Sequence, residues 1–122
     1  MDVTPLIPAG RQLIQSYGDG GFRISGRRWE GSVLVSATET VAWTAVTAED
    51  ASMATLAPLL NAGIELLLLG SGAQMAAMPR QLKADLRASG IVLDVMDTGA
   101  ACRTYNVLLS EDRKVAAALI AV

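Results

Sequence analysis

The segment with the clearest chemical potential is a glycine-rich turn, Gly70, Ser71 and Gly72, directly after the apolar run IELLLL at residues 64–69. In open α/β sheets, ligands often bind beyond the carboxyl ends of the strands, where free backbone N–H groups favour anions. The turn lacks the third glycine of a dinucleotide fingerprint and the Gly-Lys-Ser/Thr of a nucleotide P-loop. The simpler interpretation is a reversal that needs glycine dihedrals, and the alternative is a contact for a small anion.

A second cluster of reactive side chains occupies residues 97–106, with the sequence DTGAACRTYN. If a helix starts at Thr98, Cys102 lies near its N-terminus beside Arg103, where a thiol pKa can be lowered. A nucleophilic cysteine normally has a histidine base, and the sequence has no histidine. A small buried apolar residue is therefore the simpler interpretation of Cys102. Arg103 and Asn106 are candidate ligand contacts, or else ordinary positions on a helix surface.

A loop of low charge, AQMAAM at residues 73–78, contains two methionines. Flexible methionine-rich surfaces can accommodate partner helices, although such side chains more often fill a gap beneath a loop. Met75 is retained as a candidate partner contact.

Charge and composition exclude several classes of function. Ten Lys and Arg against twelve Asp and Glu give a net charge of −2, so no basic field favours nucleic acid. The one basic patch, Arg23 with Arg27, Arg28 and Trp29, is too small for strong phosphate-driven binding and is interpreted as a solvated strand end. One cysteine and no histidine argue against a disulfide framework or a cysteine cluster for metal. We predict no cofactor, no metal site and no nucleic-acid partner.

The elements that must position these residues change in character near residue 48. The first third predicts closely spaced strands, with a tight glycine turn, GDGG at residues 18–21, between the first two. The predicted strands are residues 12–17, 22–24, 32–36 and 40–43.

The rest of the chain predicts alternating helices and strands. Pro79 suits the first position of a helix that ends at Gly90, and Asp97 or Thr98 would cap the next one. The predicted elements are a helix capped by Thr47 or Asp50 and ending at Asn61, a buried strand at 64–69, a helix from 79, a strand at 91–96, a helix from 98 to about 111, and a last buried strand at 115–122.

This order predicts a three-layer α/β domain, with helices on the faces of a mixed sheet and an extra N-terminal β portion. If the strands ending at Leu69 and Met96 are parallel, the Gly70 turn and the Thr98 helix start are neighbours. We expect a single domain over residues 1–122. No secretory signal is evident, and the longest apolar run, eight residues at 115–122, falls short of the roughly 20 that cross a membrane. The expected location is cytoplasmic.

Four blocks of the sequence resemble a known family. They are YGDGGFRISG at residues 17–26, LLLLGSG at 66–72, Pro79, and MDTGAACRTYNVLLSEDRKVAAALI at 96–120. In this order and spacing they are similar to the small α/β domain family that includes mitochondrial respiratory complex I assembly factor 3. The resemblance spans about residues 5–122, and the chain looks like a bacterial member.

The resemblance implies a central mixed five-stranded sheet in a three-layer fold. For the mitochondrial relatives it implies a non-enzymatic role in assembling complex I with a partner assembly factor at the inner membrane. Bacterial relatives often lie genetically near protein-export components, and the family provides no catalytic residues to transfer. The residues that match its motifs are Gly70, Gly72, Thr98, Ala101, Cys102, Arg103, Tyr105 and Asn106.

The function expected from the sequence is that of a non-enzymatic interaction protein, acting in the cytoplasm or peripherally at the inner membrane. Its expected partners belong to respiratory complex I or to the machinery of membrane-protein insertion. The alternative is a domain that binds a small molecule or anion at the sheet edge formed by the Gly70 turn and the Thr98 helix start. The candidate ligand- or partner-binding residues are Gly70, Ser71, Gly72, Met75, Thr98, Cys102, Arg103 and Asn106.

Overall fold

A computed structural model describes residues 10–77 and 79–122. The described residues form, in chain order, strands β1 (Ile14–Gly18), β2 (Gly21–Ile24), β3 (Arg27–Glu30), β4 (Val33–Val35) and β5 (Thr40–Ala42), helix α1 (Ala57–Leu60), strand β6 (Leu66–Gly70), helix α2 (Arg80–Ala88), strand β7 (Val92–Met96), helix α3 (Thr98–Ser110) and strand β8 (Val115–Leu119).

The apolar run predicted as a buried strand becomes β6, which is paired on both sides within a five-stranded sheet. The strand order is β5-β4-β8-β6-β7. Strand β6 is parallel to β7 and β8, whereas β4 is antiparallel to both β5 and β8. A mixed five-stranded sheet is therefore confirmed.

Both faces of this sheet are covered. Leu67 and Leu69 point into a core cluster shared with Leu82 and Leu86 of α2. Leu68, on the opposite face, belongs to a second cluster with α3. Since successive side chains of a strand alternate between faces, the continuous leucine run supplies both cores at once. The predicted three-layer arrangement is confirmed.

The extra N-terminal β portion is a separate antiparallel sheet in the order β1-β2-β3. The predicted glycine turn joins β1 to β2, and Gly20 within it has a φ of 77°. Phe22 and Ile24 of β2 are buried against α3. Sequence analysis interpreted the β3 stretch only as a solvated strand end and not as a strand of its own, because its residues are nearly all charged and show no apolar alternation. Its backbone nevertheless pairs with β2 along all four residues.

The predicted helix ending at Asn61 is wrong for most of its length. The structure has one 3-10 turn at Ala48–Asp50 and the four-residue α1. Side chains here satisfy backbone groups that a helix would use: Ser52 and Thr55 hydroxyls accept hydrogen bonds from each other's backbone N–H. Local bonds of this kind compete with helical hydrogen bonding. The apolar spacing that favoured a helix still serves the core, where Leu56 is buried.

The remaining boundaries lie within three residues of those predicted, and several coincide with them. Pro79 occupies the N-cap position just before α2, without a side-chain capping hydrogen bond, rather than a position in its first turn. Among the described residues, none of the helices has the length and apolar character needed to cross a bilayer. The single domain over residues 1–122 stays a prediction, and its first nine residues lie outside the described part.

The buried hydroxyl of Tyr105 links α3 to the segment before β1 and to the segment after β4. It lies 2.8 Å from the carbonyl oxygen of Gln12 and 3.1 Å from that of Ser36. Burial raises the pKa of Tyr105, so the hydroxyl remains a hydrogen-bond donor.

Tyr105→Phe should lower the free energy of unfolding by about 1–2 kcal/mol, because it leaves buried carbonyl groups without this donor.

Urea unfolding followed by circular dichroism measures this effect. Tyr17→Phe is the matched control, since Tyr17 is 41% exposed and water can replace its hydroxyl contact. Equal effects of the two substitutions would contradict the structural role of the Tyr105 hydroxyl.

Candidate functional site

The carboxyl ends of β6 and β7 bring the glycine turn and the start of α3 together, as the parallel arrangement predicts. Thr98 donates its backbone N–H to the carbonyl oxygen of Gly72 at 2.8 Å. In return, the Thr98 hydroxyl oxygen accepts from the Gly72 N–H at 2.9 Å. The two segments are thus joined by reciprocal hydrogen bonds.

Thr98 is fully buried and ties a third segment to this junction. Its hydroxyl donates to the carbonyl oxygen of Ile120, 2.7 Å away and just beyond β8. The close approach depends on Gly70, where a Cβ atom would lie only 3.0 Å from the Thr98 Cα and from a Leu119 methyl group. Thr98 and Gly70 therefore have a direct structural role at the sheet edge.

Ser71 is also engaged within its own loop. Its backbone N–H donates to the Met96 carbonyl oxygen at 2.9 Å. Its hydroxyl donates to the carbonyl oxygen of Gln74 and accepts from the N–H of Ala76. The loop that leads to Met75 is folded back on itself through this side chain.

The N-terminus of α3 is occupied by protein groups. Asp97 is the predicted cap, and its carboxylate accepts from the Ala100 N–H at 2.9 Å. The Thr98 N–H already bonds to Gly72, as described above. With a carboxylate already favourably placed at the positive end of the helix, this edge offers little to a second anion. The geometry favours the interpretation of the glycine segment as a tight turn.

Cys102 lies in the core between α3 and the central sheet, with only 2% of its surface exposed. Burial raises the pKa of its thiol from 9.0 to about 12, and the opposing effect of nearby Arg103 is smaller. The lowered thiol pKa considered from the sequence is therefore wrong, because desolvation outweighs the neighbouring charge. The thiol is protonated at neutral pH and shielded from solvent.

Asn106 is half-buried and binds the backbone of the N-terminal sheet. Its amide nitrogen donates to the Ile14 carbonyl oxygen at 2.7 Å, and its amide oxygen accepts from the Ile14 N–H at 3.0 Å. This pair of bonds fixes the start of β1, where the register with β2 shifts between Ile14 and Ser16. Asn106 is thereby engaged in positioning β1 on α3.

Arg103 and Met75 are the candidate residues with exposed side chains. Met75 is 70% exposed, so it does not fill a gap beneath its loop. Arg103 donates a hydrogen bond to the Tyr17 hydroxyl at 2.9 Å, and both side chains lie close to Gly99. A Cβ atom at Gly99 would come within 2.7 Å of that hydroxyl.

Tyr17 was missed as a site residue by sequence analysis. The glycine turn that follows Tyr17 predicts that this residue lies at the end of a strand. It does not indicate that this strand end contacts α3. That meeting follows from tertiary packing, because the N-terminal sheet lies against the same helix that carries Arg103.

The basic patch around β3 is stabilised by its own neighbours. The Arg27 guanidinium lies 4.1 Å from the centre of the Trp29 ring, and Arg28 forms an ion pair with Glu30 at 2.8 Å. In the described part of the chain, no three His, Cys, Asp or Glu residues are grouped so that they could hold a metal ion.

The chain matches the profile of a "Protein of unknown function (DUF498/DUF598)" over residues 14–120. An uncharacterized protein of Rhodobacter capsulatus is 41% identical over 112 residues, covering 92% of this chain and 86% of that protein. NADH dehydrogenase (ubiquinone) 1 alpha subcomplex assembly factor 3 of Danio rerio is 37% identical over 110 residues. That match covers 88% of this chain and 63% of the fish protein, so this chain spans a little over three fifths of that relative.

Solved structures show the same fold. A protein of Rhodopseudomonas palustris, 40% identical, superposes with a TM-score of 0.79 over 100% of this chain and 93% of its own. A Bordetella pertussis protein described as a Mth938-like domain superposes with a TM-score of 0.81, over 98% and 92% of the two chains. Its identity of 24% makes it a guide to the fold alone.

Thr98→Val should lower the free energy of unfolding by about 2 kcal/mol. The substitution keeps the shape of the side chain but leaves the Gly72 N–H and the Ile120 carbonyl oxygen without their buried partner. Thermal or urea unfolding measures the change, with Thr104→Val on the same helix as the control. A loss no greater than that of the control would exclude the junction as a stabilising feature.

Cys102 should react with thiol reagents only when the protein unfolds. Its folded pKa of about 12 lies above the unfolded value of 9.0, so the stability it contributes is complete below pH 9. As the pH rises from 9 towards 12, the unfolded thiol ionises first and stability falls. Labelling with and without denaturant tests burial, and unfolding curves of wild type and Cys102→Ala over this pH range test the linkage.

A native thiol that is labelled as fast as the denatured one would contradict the burial of Cys102. An identical high-pH slope in the Cys102→Ala variant would assign the loss of stability to other groups.

Proposed function

The chain belongs to the DUF498/DUF598 family of proteins of unknown function, and we propose that it is a non-enzymatic interaction protein that assists the assembly of respiratory complex I. The observation that carries this proposal is the likeness to assembly factor 3 of NADH dehydrogenase, which extends over 88% of this chain. Because the chain spans only part of that relative's length, the proposal concerns the role of this shared domain.

The side chains at the sheet edge formed by the glycine turn and the start of α3 favour binding over catalysis. A reactive centre needs an accessible nucleophile or acid–base group near a place where substrate can sit. Cys102 is buried and protonated, and the hydroxyls of Thr98 and Ser71 are committed to backbone groups. These side chains hold the edge of the sheet in one shape, which is what a rigid recognition surface requires.

The exposed face of α3 offers the contacts for a partner. Arg103 and Val107 are one helical turn apart, and Val107 is 56% exposed. Tyr17 lies beside Arg103 through the hydrogen bond between them. Arginine and tyrosine are enriched among residues that dominate binding energy, and an exposed aliphatic neighbour adds apolar area. We call Tyr17, Arg103 and Val107 the α3 surface.

The glycine turn places a second contact near the start of α3. Its reciprocal bonds with Thr98 fix the loop that carries the exposed Met75. Methionine adapts its shape to a partner, whereas the α3 surface is held by hydrogen bonds. The proposed partners are subunits of complex I or components of membrane-protein insertion, with the protein bound peripherally at the inner membrane through them.

Deletion of the gene should lower NADH-dependent quinone reduction by membranes of the organism of origin, and a wild-type copy should restore it. A copy with Arg103→Glu and Met75→Asp should fail to restore activity, because it reverses one charge and places another in an apolar contact. Tagged wild-type protein should recover complex I subunits from detergent-solubilised membranes, and the double variant should recover at least about tenfold less.

Arg80→Glu is the matched control, since Arg80 is an exposed arginine on α2. Its activity and recovery should equal those of the wild type. Unchanged complex I activity in the deletion strain would refute the assembly role. Loss of recovery in the Arg80→Glu control as well would refute the assignment of the α3 surface.

A further inference from the structure

A pocket of about 350 Å³ opens at the edge of the central sheet opposite the glycine turn. It lies between the segment after β4, the segment before β6 and the segment before β8. Its lining includes one residue from each of these segments: Ser36, Ile64 and Lys114. Arg11, from the chain before β1, also lines the pocket. The volume is within the range of small-molecule sites, which is about 300–1,000 Å³.

Positive charge predominates in this lining. Arg11, Arg113 and Lys114 contribute three cations, against two carboxylates, Asp112 in the lining and Glu65 beside Lys114. This local excess contrasts with the net charge of −2 for the whole chain. Three cations from two distant parts of the sequence converge on one concave surface, which raises the local concentration of anions.

The ion pairs formed by these cations leave most of their capacity for hydrogen bonding free. Arg11 contacts Asp112 at 3.1 Å through one of its five N–H groups, and Asp112 is 84% exposed. Lys114 lies 3.7 Å from Glu65, which is 72% exposed. Pairs this exposed are weak, so an incoming anion competes with them at little cost.

A second pocket of about 230 Å³ continues from the first. The two share Ser36, Thr38 and Ala62 in their linings, so they adjoin, and we call the pair of pockets the cleft. The far end is lined by the apolar side chains of Val41 and Leu59. Glu39 also lies there and opposes a second negative charge. The cleft is basic at one end and mainly apolar at the other.

From this arrangement we propose that the cleft is a binding site for a small organic phosphate, with the phosphate at Arg11, Arg113 and Lys114. The organic part extends past Thr38 towards Val41 and Leu59. Guanidinium groups match phosphate oxygens in geometry and charge, and a lysine ammonium adds a further donor. This site is at the opposite end of the parallel strands from the glycine turn, and it does not depend on a protein partner.

Titration of the ¹⁵N-labelled full chain with phenyl phosphate, followed by amide chemical shifts, tests the site. Saturable shifts should be confined to residue 11 and to three segments, residues 36–41, 59–64 and 112–114. Inorganic phosphate should bind the same residues more weakly, because it lacks the apolar part. Phenol, which lacks the phosphate, should leave residues 112–114 unshifted. Added salt should weaken binding, as expected for a site that depends on charge.

The double variant Arg113→Gln with Lys114→Gln should weaken phenyl phosphate binding by about tenfold. Both side chains are exposed, so the fold should persist and the other amide signals should stay in place. Arg80→Gln with Lys83→Gln on α2 removes the same charge elsewhere and should leave affinity unchanged. Thr38→Asp introduces a carboxylate into the cleft and should weaken binding without removing a cation.

The proposal is overturned if phenyl phosphate causes no saturable shifts in the three segments. It is equally overturned if the cleft variants and the α2 control lose affinity to the same extent. Loss of complex I assembly without any change in phosphate binding, or the reverse, separates this site from the proposed function.

Discussion

The whole structure depends on the burial of β6 and β8 on both faces. Each is flanked by strands on both sides, and their side chains are almost entirely apolar. A strand of this kind cannot stand at a surface, so the chain must supply a layer above and a layer below it. Helix α2 and the segment around α1 cover one face, and α3 with the N-terminal sheet covers the other. The buried hydrogen bonds of Thr98 and Asn106 join these layers at their edges.

The sequence predicts the parts of the fold that follow from hydrophobic periodicity and from residues typical of turns and helix caps. The leucine run, the Asp97 cap and the glycine turn between β1 and β2 are local signals, and each is found close to its predicted position. The short α1 and its preceding turn were predicted as a longer helix, because apolar spacing does not reveal side chains that bond to nearby backbone. The sequence does not show that β3 is a strand of its own, because its charged residues are held in place by pairing with β2. That pairing depends on tertiary structure.

The candidate site was predicted in location but less well in role. The parallel strands bring the glycine turn to the Thr98 helix start, as their order requires. The burial of Cys102 and the use of Asn106 to hold β1 depend on how the second sheet packs against α3, and no sequence period encodes that. Exposure of Arg103 beside Tyr17 has the same origin. One side of helix α3 therefore packs in the core, and its opposite side is exposed and accessible to a partner.

The position of β8 has a consequence for how the molecule folds. It follows all other described strands in the chain, yet it lies in the middle of the central sheet between β4 and β6. During synthesis, Val33–Val35 and Leu66–Gly70 emerge long before the strand that joins them. Until residues 115–119 arrive, both neighbours have an open backbone edge, and such edges favour pairing with other chains. Completion of the sheet is therefore a late, long-range step, and the nascent chain is most vulnerable to aggregation just before it.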